Sequence, residues 1–181
     1  MDHSWVYDDS AVDWGEISEL YRKATLGEKS PKDLETVFSN SGLKCFVYAN
    51  EELVSVGRAL ADGLDCSYIA DVAVHPEFQG KGLGKEITGK LVALSEGHKK
   101  IILYANPGTE GLYQRIGFHR MNTAMAIWRN QEQAIKAGSI GEAERGPQPL
   151  VVSLLCSLCR QPLKGAWPLG NAGSRAVSRG G

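Results

Sequence analysis

The stretch of residues 68–90 constrains the fold more than any other part of the chain. Residues 68–74 are mostly β-branched, aromatic or small, which predicts a buried strand. His75-Pro76 ends that strand, because proline cannot donate to a ladder and moves the preceding residue away from helical angles. Residues 79–84 then place glycine at alternate positions directly before a helical pattern. The stretch is therefore predicted to run strand, glycine-rich turn and helix without interruption.

A turn of this kind is suited to hold an anion. The first N–H groups of a helix have no intrahelical partner, and the helix dipole adds positive charge at the same end. Glycines let those N–H groups turn inward without obstruction by a Cβ atom. A phosphate or pyrophosphate group is the ligand that this chemistry favours.

The glycine spacing excludes two common phosphate loops. A Walker A loop needs four residues between its two glycines, whereas only three separate Gly80 from Gly84. In addition, Glu86 stands at the position of the metal-binding hydroxyl. The dinucleotide pattern G-x-G-x-x-G fails because Lys85 occupies its last position. What remains is Gln79-x-x-Gly82-x-Gly84, a Q/R-x-x-G-x-G/A pattern.

This pattern resembles the loop of the GNAT superfamily of acetyl-CoA-dependent N-acetyltransferases. Two further segments stand in that family's order: V-x-V-x-P over residues 72–76 and Y-x-x-x-G-F from Tyr113 to Phe118. The resemblance covers roughly residues 1–129 by pattern. A glycine-rich connection without a ligand is the alternative for the loop alone, but three linked signals in order favour coenzyme binding.

The resemblance implies that the loop binds the pyrophosphate of coenzyme A. It also implies that two parallel strands splay apart beyond the loop, so that strand backbone groups hydrogen-bond the pantetheine arm as an added strand would. Lys81 and Lys85 would contribute electrostatically or remain solvated, and Asn106 would contact the coenzyme or form a turn with its proline. The expected cofactor-binding residues are Val72, Ala73, Val74, Gln79, Gly80, Lys81, Gly82, Leu83, Gly84, Lys85 and Asn106.

Amine acetylation requires one group that accepts a proton and one that donates a proton. By resemblance, Tyr113 is the candidate acid, because the tyrosine of this segment lies near the coenzyme sulfur in many members; a packing role is the alternative. Asp71 is the candidate base or amine anchor, since a carboxylate inside an apolar strand is costly unless paired or used. A structural aspartate is an equal alternative. His75 is interpreted as a strand-end residue rather than a proton relay.

The predicted fold class is α/β (α+β), a GNAT-like mixed and mostly antiparallel central sheet with helices on both faces and a splayed parallel strand pair. Strands are predicted at 4–7, 43–49, 53–60, 68–74, 99–105 and 118–128, and helices at 13–24, 31–40, 84–96 and 110–116. The domain is predicted to span residues 1–129. Residues 130–181 are expected to form a disordered tail, apart from a helical pattern near 131–137, because Gly, Pro, Ser and Ala dominate there.

Charge and cysteine content narrow the class of protein. A formal net charge of -1 gives no reason to expect nucleic acid or a membrane as a partner. Asp and Glu outnumber Lys and Arg in residues 1–130, which suits a cationic substrate. The 4 cysteines and the lack of an apolar N-terminal run lead us to expect a reduced, cytoplasmic setting. Cys156 and Cys159 have zinc-ligand spacing but no second ligand pair, so no metal is expected.

The predicted activity is transfer of an acetyl group from acetyl-CoA to a primary amine of a small molecule, by direct attack in a ternary complex. Acetylation of a protein lysine or N-terminus is the alternative within the same chemistry. A non-catalytic acyl-CoA-binding regulatory module is the alternative from another class. The oligomeric state, a homodimer included, is left open by the sequence.

Overall fold

The computed structural model describes residues 3–141. Five strands and five helices follow one another in the order predicted for most of the chain. Their bounds are β1 Ser4–Val6, α1 Trp14–Lys23, α2 Pro31–Ser39, β2 Leu43–Ala49, β3 Glu52–Ala61, β4 Cys66–Val74, α3 Leu83–Leu94, β5 Lys100–Leu103, α4 Glu110–Gln114 and α5 Gln131–Lys136. A short 3₁₀ turn, Pro76–Phe78, connects β4 to the glycine-rich turn.

The strands form one sheet in the order β1-β2-β3-β4-β5. The first three pairings are antiparallel and the β4–β5 pairing is parallel. The crossover between the parallel strands is α3, the helix that begins at the glycine-rich turn. The predicted mixed, mostly antiparallel sheet is confirmed.

Each face of the sheet is covered by its own core. On one face, α1 and α2 pack their buried side chains against the sheet around Phe46 and Val56. On the other face, α3 packs Leu83, Ile87 and Leu91 against residues that include Ile69. Helices therefore cover both faces, as predicted, and β4 contributes to both cores.

Local sequence signals explain where the helices begin. The Asp13 carboxylate caps α1 by accepting a hydrogen bond from the Gly15 N–H at 2.7 Å. The Ser30 hydroxyl caps α2 by accepting from the Asp33 N–H at 3.1 Å, with Pro31 at the first helical position. The predicted boundaries of these two helices are confirmed within one or two residues.

The prediction of a last strand over residues 118–128 is wrong, because the structure assigns no strand there. Met125 and Ile127 are 90% and 96% exposed. A strand in water needs partner strands and a packed apolar face to be stable. Here the Asn130 side chain caps α5 directly after the segment, accepting from the Gln133 N–H at 3.0 Å, so no second hairpin strand follows within the described residues.

The helical pattern near 131–137 is confirmed as α5, whose Ala134 is buried. The disorder and the cysteine pair predicted for the remaining tail lie outside the described residues. The domain boundary at residue 129 stays a prediction. Among residues 3–141, no helix is long and apolar enough to cross a membrane.

Candidate active site

Strand β4 continues beyond its parallel partner. The β4–β5 ladder ends at the pair Ile69 and Leu103, whereas β4 runs on to Val74. Beyond Ile69, the residues of β4 that have a ladder partner, Ala70, Ala73 and Val74, pair only with β3 within the described part of the chain. One edge of β4 is therefore left open directly before the glycine-rich turn, as the predicted splayed pair requires.

Hydrogen bonds show which backbone groups face that open edge. The Ser55 hydroxyl donates to the Ala73 carbonyl at 2.7 Å, and the His75 N–H donates to the Val54 carbonyl at 2.8 Å. Both groups thus point toward β3. Backbone groups alternate in direction along a strand, so those of Val72 and Val74 point toward the open edge. Of the three residues expected to bind the pantetheine arm, Val72 and Val74 are oriented for it. The Ala73 carbonyl already accepts from Ser55 and the Val74 carbonyl from the Gln79 side chain, so Val74 has only its N–H left for the arm.

The glycine-rich turn leaves the start of α3 open. Gly80 and Gly82 have φ of 72° and 92°, values that favour glycine, and a Cβ atom at either position would meet nothing within 4 Å. Gly82 is the N-cap of α3 and supplies no side-chain hydrogen bond to the first N–H groups. Those groups are the donors that a phosphate would use.

Neighbouring residues fix the turn in place. Leu83 is 3% exposed and packs into the α3 core, while a Cβ atom on Gly84 would lie 3.7 Å from a Val74 methyl group. The Gln79 side chain donates to the Val74 carbonyl at 2.9 Å, which ties the turn to the end of β4. Gln79 is thus engaged with the protein rather than directed at a ligand.

Three polar residues predicted near the turn have different positions. Lys81 and Lys85 are exposed, and the Lys81 ammonium lies 5.4 Å from the centre of the Phe78 ring. The Asn106 carbonyl accepts hydrogen bonds from the N–H and the hydroxyl of Thr109 at 2.9 and 2.7 Å. The backbone of Asn106 therefore forms a turn, while its exposed side chain makes no hydrogen bond within the described residues.

Tyr113 is half-buried in α4. Its ring meets Phe118 edge to face at 6.3 Å, and Phe118 packs with Val72 and Val74 against the α3 core. Burial raises the pKa of the Tyr113 hydroxyl, so that it keeps its proton at neutral pH. A protonated hydroxyl near the end of β4 is what a general acid requires, although the packing role is present as well.

Asp71 lies in a β-bulge of β4. Arg58 pairs with Ala70 and Val56 pairs with Ala73, so three steps along β4 match two steps along β3. The extra residue gives Asp71 a φ of 50°, in the left-handed region that aspartate tolerates better than most residues. The bulge also changes which face of the sheet the side chains of β4 lie on. Ile69 and Ala73 are four residues apart and would share a face in a regular strand, but Ile69 packs against α3 and Ala73 packs against α1 and α2.

Two cations meet the Asp71 carboxylate. The Lys29 ammonium and the Arg58 Nε donate to the same oxygen, Oδ2, at 2.9 and 2.7 Å. Burial alone would raise the pKa of Asp71, but the hydrogen bonds and charges of Lys29 and Arg58 outweigh it and lower the pKa. An ionised carboxylate with a lowered pKa is a weak base, so of the alternatives open from the sequence these contacts favour an anchor or a structural ion pair.

Lys29 and Arg58 were missed by the sequence prediction. Arg58, like Asp71, is a charged residue inside an apolar strand. The same argument that singled out Asp71 could therefore have identified Arg58 as its partner on the neighbouring strand. Lys29 lies in the connection between α1 and α2 and gives no such signal. Its place beside Asp71 depends on a contact across 42 positions of the chain.

Aromatic residues surround the same carboxylate. Tyr21 is fully buried, and its hydroxyl has no hydrogen-bond partner among the described residues. Tyr68 meets Tyr104 edge to face at 5.5 Å, and the pKa of Tyr68 is raised by burial and by the charge of Asp71. His75 directly follows the last residue of β4 and is the N-cap of the 3₁₀ turn, where its ring accepts from the Glu77 N–H at 3.4 Å, so it lies at a strand end as expected.

Comparisons with known proteins agree with this geometry. The sequence model of the Acetyltransferase (GNAT) family matches residues 14–118. A serotonin N-acetyltransferase 2, chloroplastic, of Oryza sativa subsp. japonica is 38% identical over 136 residues, which cover 68% of this chain and 66% of that protein. A GCN5-related N-acetyltransferase 2, chloroplastic, of Arabidopsis thaliana is 35% identical over 106 residues, covering 56% of this chain and 40% of that protein. The chain thus spans less than two thirds of the length of either relative.

A solved structure has the same fold. The acetyltransferase GNAT family protein of Streptococcus pneumoniae aligns with a TM-score of 0.62 at 19% identity, over 72% of this chain and 99% of that one. The two proteins therefore share their overall fold.

Proposed function

This chain belongs to the GNAT acetyltransferase family, and from that premise we propose that it transfers the acetyl group of acetyl-CoA to the primary amine of a small molecule. The observation that carries the proposal is the open edge of β4, which ends at a glycine-rich turn and the uncapped start of α3. One strand edge and one helix terminus thus offer donors for an extended arm and for phosphates in a continuous path.

The residues present fit acetyl-CoA, which as the donor supplies an activated thioester. The backbone of Val72 and the N–H of Val74 would hydrogen-bond the pantetheine arm, since the Val74 carbonyl already accepts from Gln79. The first N–H groups of α3 would bind the pyrophosphate, with Lys81 and Lys85 nearby. Asn106, in the turn that follows β5, has a side chain available for the arm. These contacts position the donor without using any nucleophile of the protein.

Proton transfer is assigned to Tyr113 and to water. The half-buried Tyr113 hydroxyl holds a proton that a departing thiolate can accept. Asp71 is too strongly paired to act as the base, so the attacking amine loses its proton to solvent. Asp71 instead attracts the amine while it is still an ammonium ion. Direct attack in a ternary complex follows, because no cysteine thiol lies among the residues that form the described site.

The acceptor that we propose is an aromatic primary amine. Tyr68 and the 60% exposed Tyr104 form an aromatic pair beside the open edge, next to the carboxylate of Asp71. An aromatic surface next to a negative charge suits a ring joined to an ammonium group. The name of the rice relative, a serotonin N-acetyltransferase, supports the same class of acceptor.

The cytoplasmic setting expected from cysteine use stays a prediction.

The test is release of free coenzyme A thiol from acetyl-CoA, followed with a thiol reagent, across aliphatic amines, aromatic amines and a lysine peptide. We expect thiol release with aromatic amines and double-reciprocal plots that intersect, as a ternary complex requires. Parallel plots would indicate a covalent acetyl-enzyme. Release with the peptide alone would transfer the proposal to protein acetylation, and coenzyme binding without any release would indicate a regulatory module.

A further inference from the structure

Lys29 joins the α1–α2 connection to β4, and the role proposed for it below rests on the proposed function. Its backbone carbonyl accepts from the Ser18 hydroxyl at 2.7 Å, which fixes this end of the connection to α1. Its side chain extends over the Tyr21 ring, 5.0 Å from the ring centre, to the Asp71 carboxylate. A primary ammonium of the protein thus lies on the carboxylate next to the open edge of β4.

The two cations on Asp71 are not equivalent. The Arg58 side chain is 11% exposed and is held a second time, by a hydrogen bond of 3.1 Å from Nη1 to the Ser41 hydroxyl. The Lys29 side chain is 31% exposed, and Asp71 is its one hydrogen-bond partner among the described residues. Arg58 is therefore the fixed cation of the cluster, and Lys29 is the cation that can be displaced at low cost.

The Asp71 carboxylate also has unused capacity. Both cations donate to Oδ2, and Oδ1 accepts no hydrogen bond from the described residues. Asp71 immediately precedes Val72, whose backbone faces the open edge. An amine that reaches an acetyl group along this edge would pass the Asp71 carboxylate, where it would meet the Lys29 ammonium.

We propose that Lys29 is a specificity-determining residue, which neutralises Asp71 when no acceptor is bound and exchanges its place with the ammonium group of the acceptor. Exchange of one ammonium for another leaves the carboxylate paired throughout, which avoids an unpaired, largely buried charge. Because Lys29 and Arg58 give the cluster one net positive charge, a second positive charge on the acceptor is disfavoured. The site is thus selective for monoamines over diamines.

The test compares wild type with Lys29→Met, Lys29→Gln and Lys29→Arg, and with Lys32→Met as the matched control. Lys32 is an exposed lysine of α2 whose ammonium makes no hydrogen bond within the described residues. We expect the KM for 2-phenylethylamine to fall about two- to fivefold in Lys29→Met and Lys29→Gln, with kcat unchanged. Lys29→Arg and Lys32→Met should retain the wild-type KM.

Loss of the Lys29 charge should lower the KM for a diamine of similar length more than it lowers the KM for 2-phenylethylamine. Calorimetric titration of 2-phenylethylamine into the protein with coenzyme A present measures binding without turnover. If Lys29→Met and Lys29→Gln both fail to bind 2-phenylethylamine more tightly and to lower its KM, Lys29 is only a structural clamp and the proposal is overturned. A rise in the KM would overturn it as well. If the titration shows tighter binding but no variant turns over any amine, the exchange stands and the proposed acetyl transfer fails.

Discussion

The coenzyme side and the acceptor side of the site are built in different ways. Apart from Asn106, the coenzyme side comes from one continuous segment, residues 72–85, in which the end of β4, the glycine-rich turn and the start of α3 follow one another. The acceptor side brings together Tyr21, Lys29, Arg58 and Asp71 from four separate parts of the chain. One side depends on backbone conformation, and the other depends on side-chain charges.

This difference determines how each side responds to change. A backbone anion site is lost when one residue blocks the N–H groups, because no side chain can replace them. A cluster of charges keeps part of its function when one member is lost, because the remaining charges and water rearrange. We therefore expect large effects on the coenzyme side and graded effects on the acceptor side.

The largest effect is predicted for Gly82→Val. The φ of 92° at this position is unfavourable for valine, so the turn would change its conformation and displace the first N–H groups of α3, and coenzyme A binding should be lost. The control is Gly63→Val, since Gly63 also has a positive φ, 81°, and open space around it, but lies in the β3–β4 turn. Titration with coenzyme A should separate the two variants, and equal affinities in both would show that the turn is only a connection.

The next effect is predicted for Tyr113→Phe. The ring and its contact with Phe118 are kept while the proton donor is removed, so kcat should fall by up to about 100-fold with little change in acetyl-CoA affinity. Because burial raises the pKa of Tyr113, the deficit should persist up to about pH 10. Tyr7→Phe, at a 44% exposed tyrosine, is the control. A wild-type kcat with chemistry limiting would make Tyr113 a packing residue.

On the acceptor side, Asp71→Asn should lower the free energy of unfolding by about 2 kcal/mol, because it leaves two partly buried cations without their anion. Asparagine tolerates the positive φ of this position, so the backbone is retained. Asp9→Asn is the control. Asp9 forms an ion pair with Lys44 alone, and its side chain is 27% exposed against 16% for Asp71, so this variant should lose less free energy of unfolding. Urea unfolding measures both variants. Equal losses would mean that the Asp71 cluster stabilises no more than a surface pair.

The same ion pairs predict a dependence on pH. The pKa of Asp71 is lower in the folded protein, so its contribution is present above the unfolded pKa of about 3.9. That contribution is lost as the pH falls through the folded pKa. Wild type should therefore lose more stability than Asp71→Asn as the pH falls below about 4. Parallel stability curves over this range would contradict the lowered pKa.

The smallest effect is predicted for Tyr21→Phe. The Tyr21 hydroxyl is buried without a hydrogen-bond partner among the described residues, so its removal should change the free energy of unfolding by less than about 1 kcal/mol, in the stabilising direction. Thermal unfolding measures the change. A clear loss of stability would show that the Tyr21 hydroxyl donates a hydrogen bond to the Asp71 cluster and that Tyr21 is coupled to the charges of the acceptor side.

The sequence alone determined the parts of this protein that depend on neighbouring residues. The β-branched, aromatic and small residues of 68–74, the glycine spacing of residues 79–84 and the helical patterns of residues 13–24 and 31–40 are local properties, and they predicted the helices, most of the sheet and the glycine-rich turn at the start of α3. Local conformational preferences act within a few residues, so they can be deduced without the fold.

Only the tertiary structure decided the rest. The bulge that turns Asp71 toward Lys29 arises from the register of β4 on β3, and the two ion pairs join residues 13 and 42 positions apart. The predicted strand over residues 118–128 had a suitable pattern but has no partner within the described residues. Register, ion pairing and edge pairing all depend on what a distant segment presents at the contact, and neither spacing nor composition encodes that.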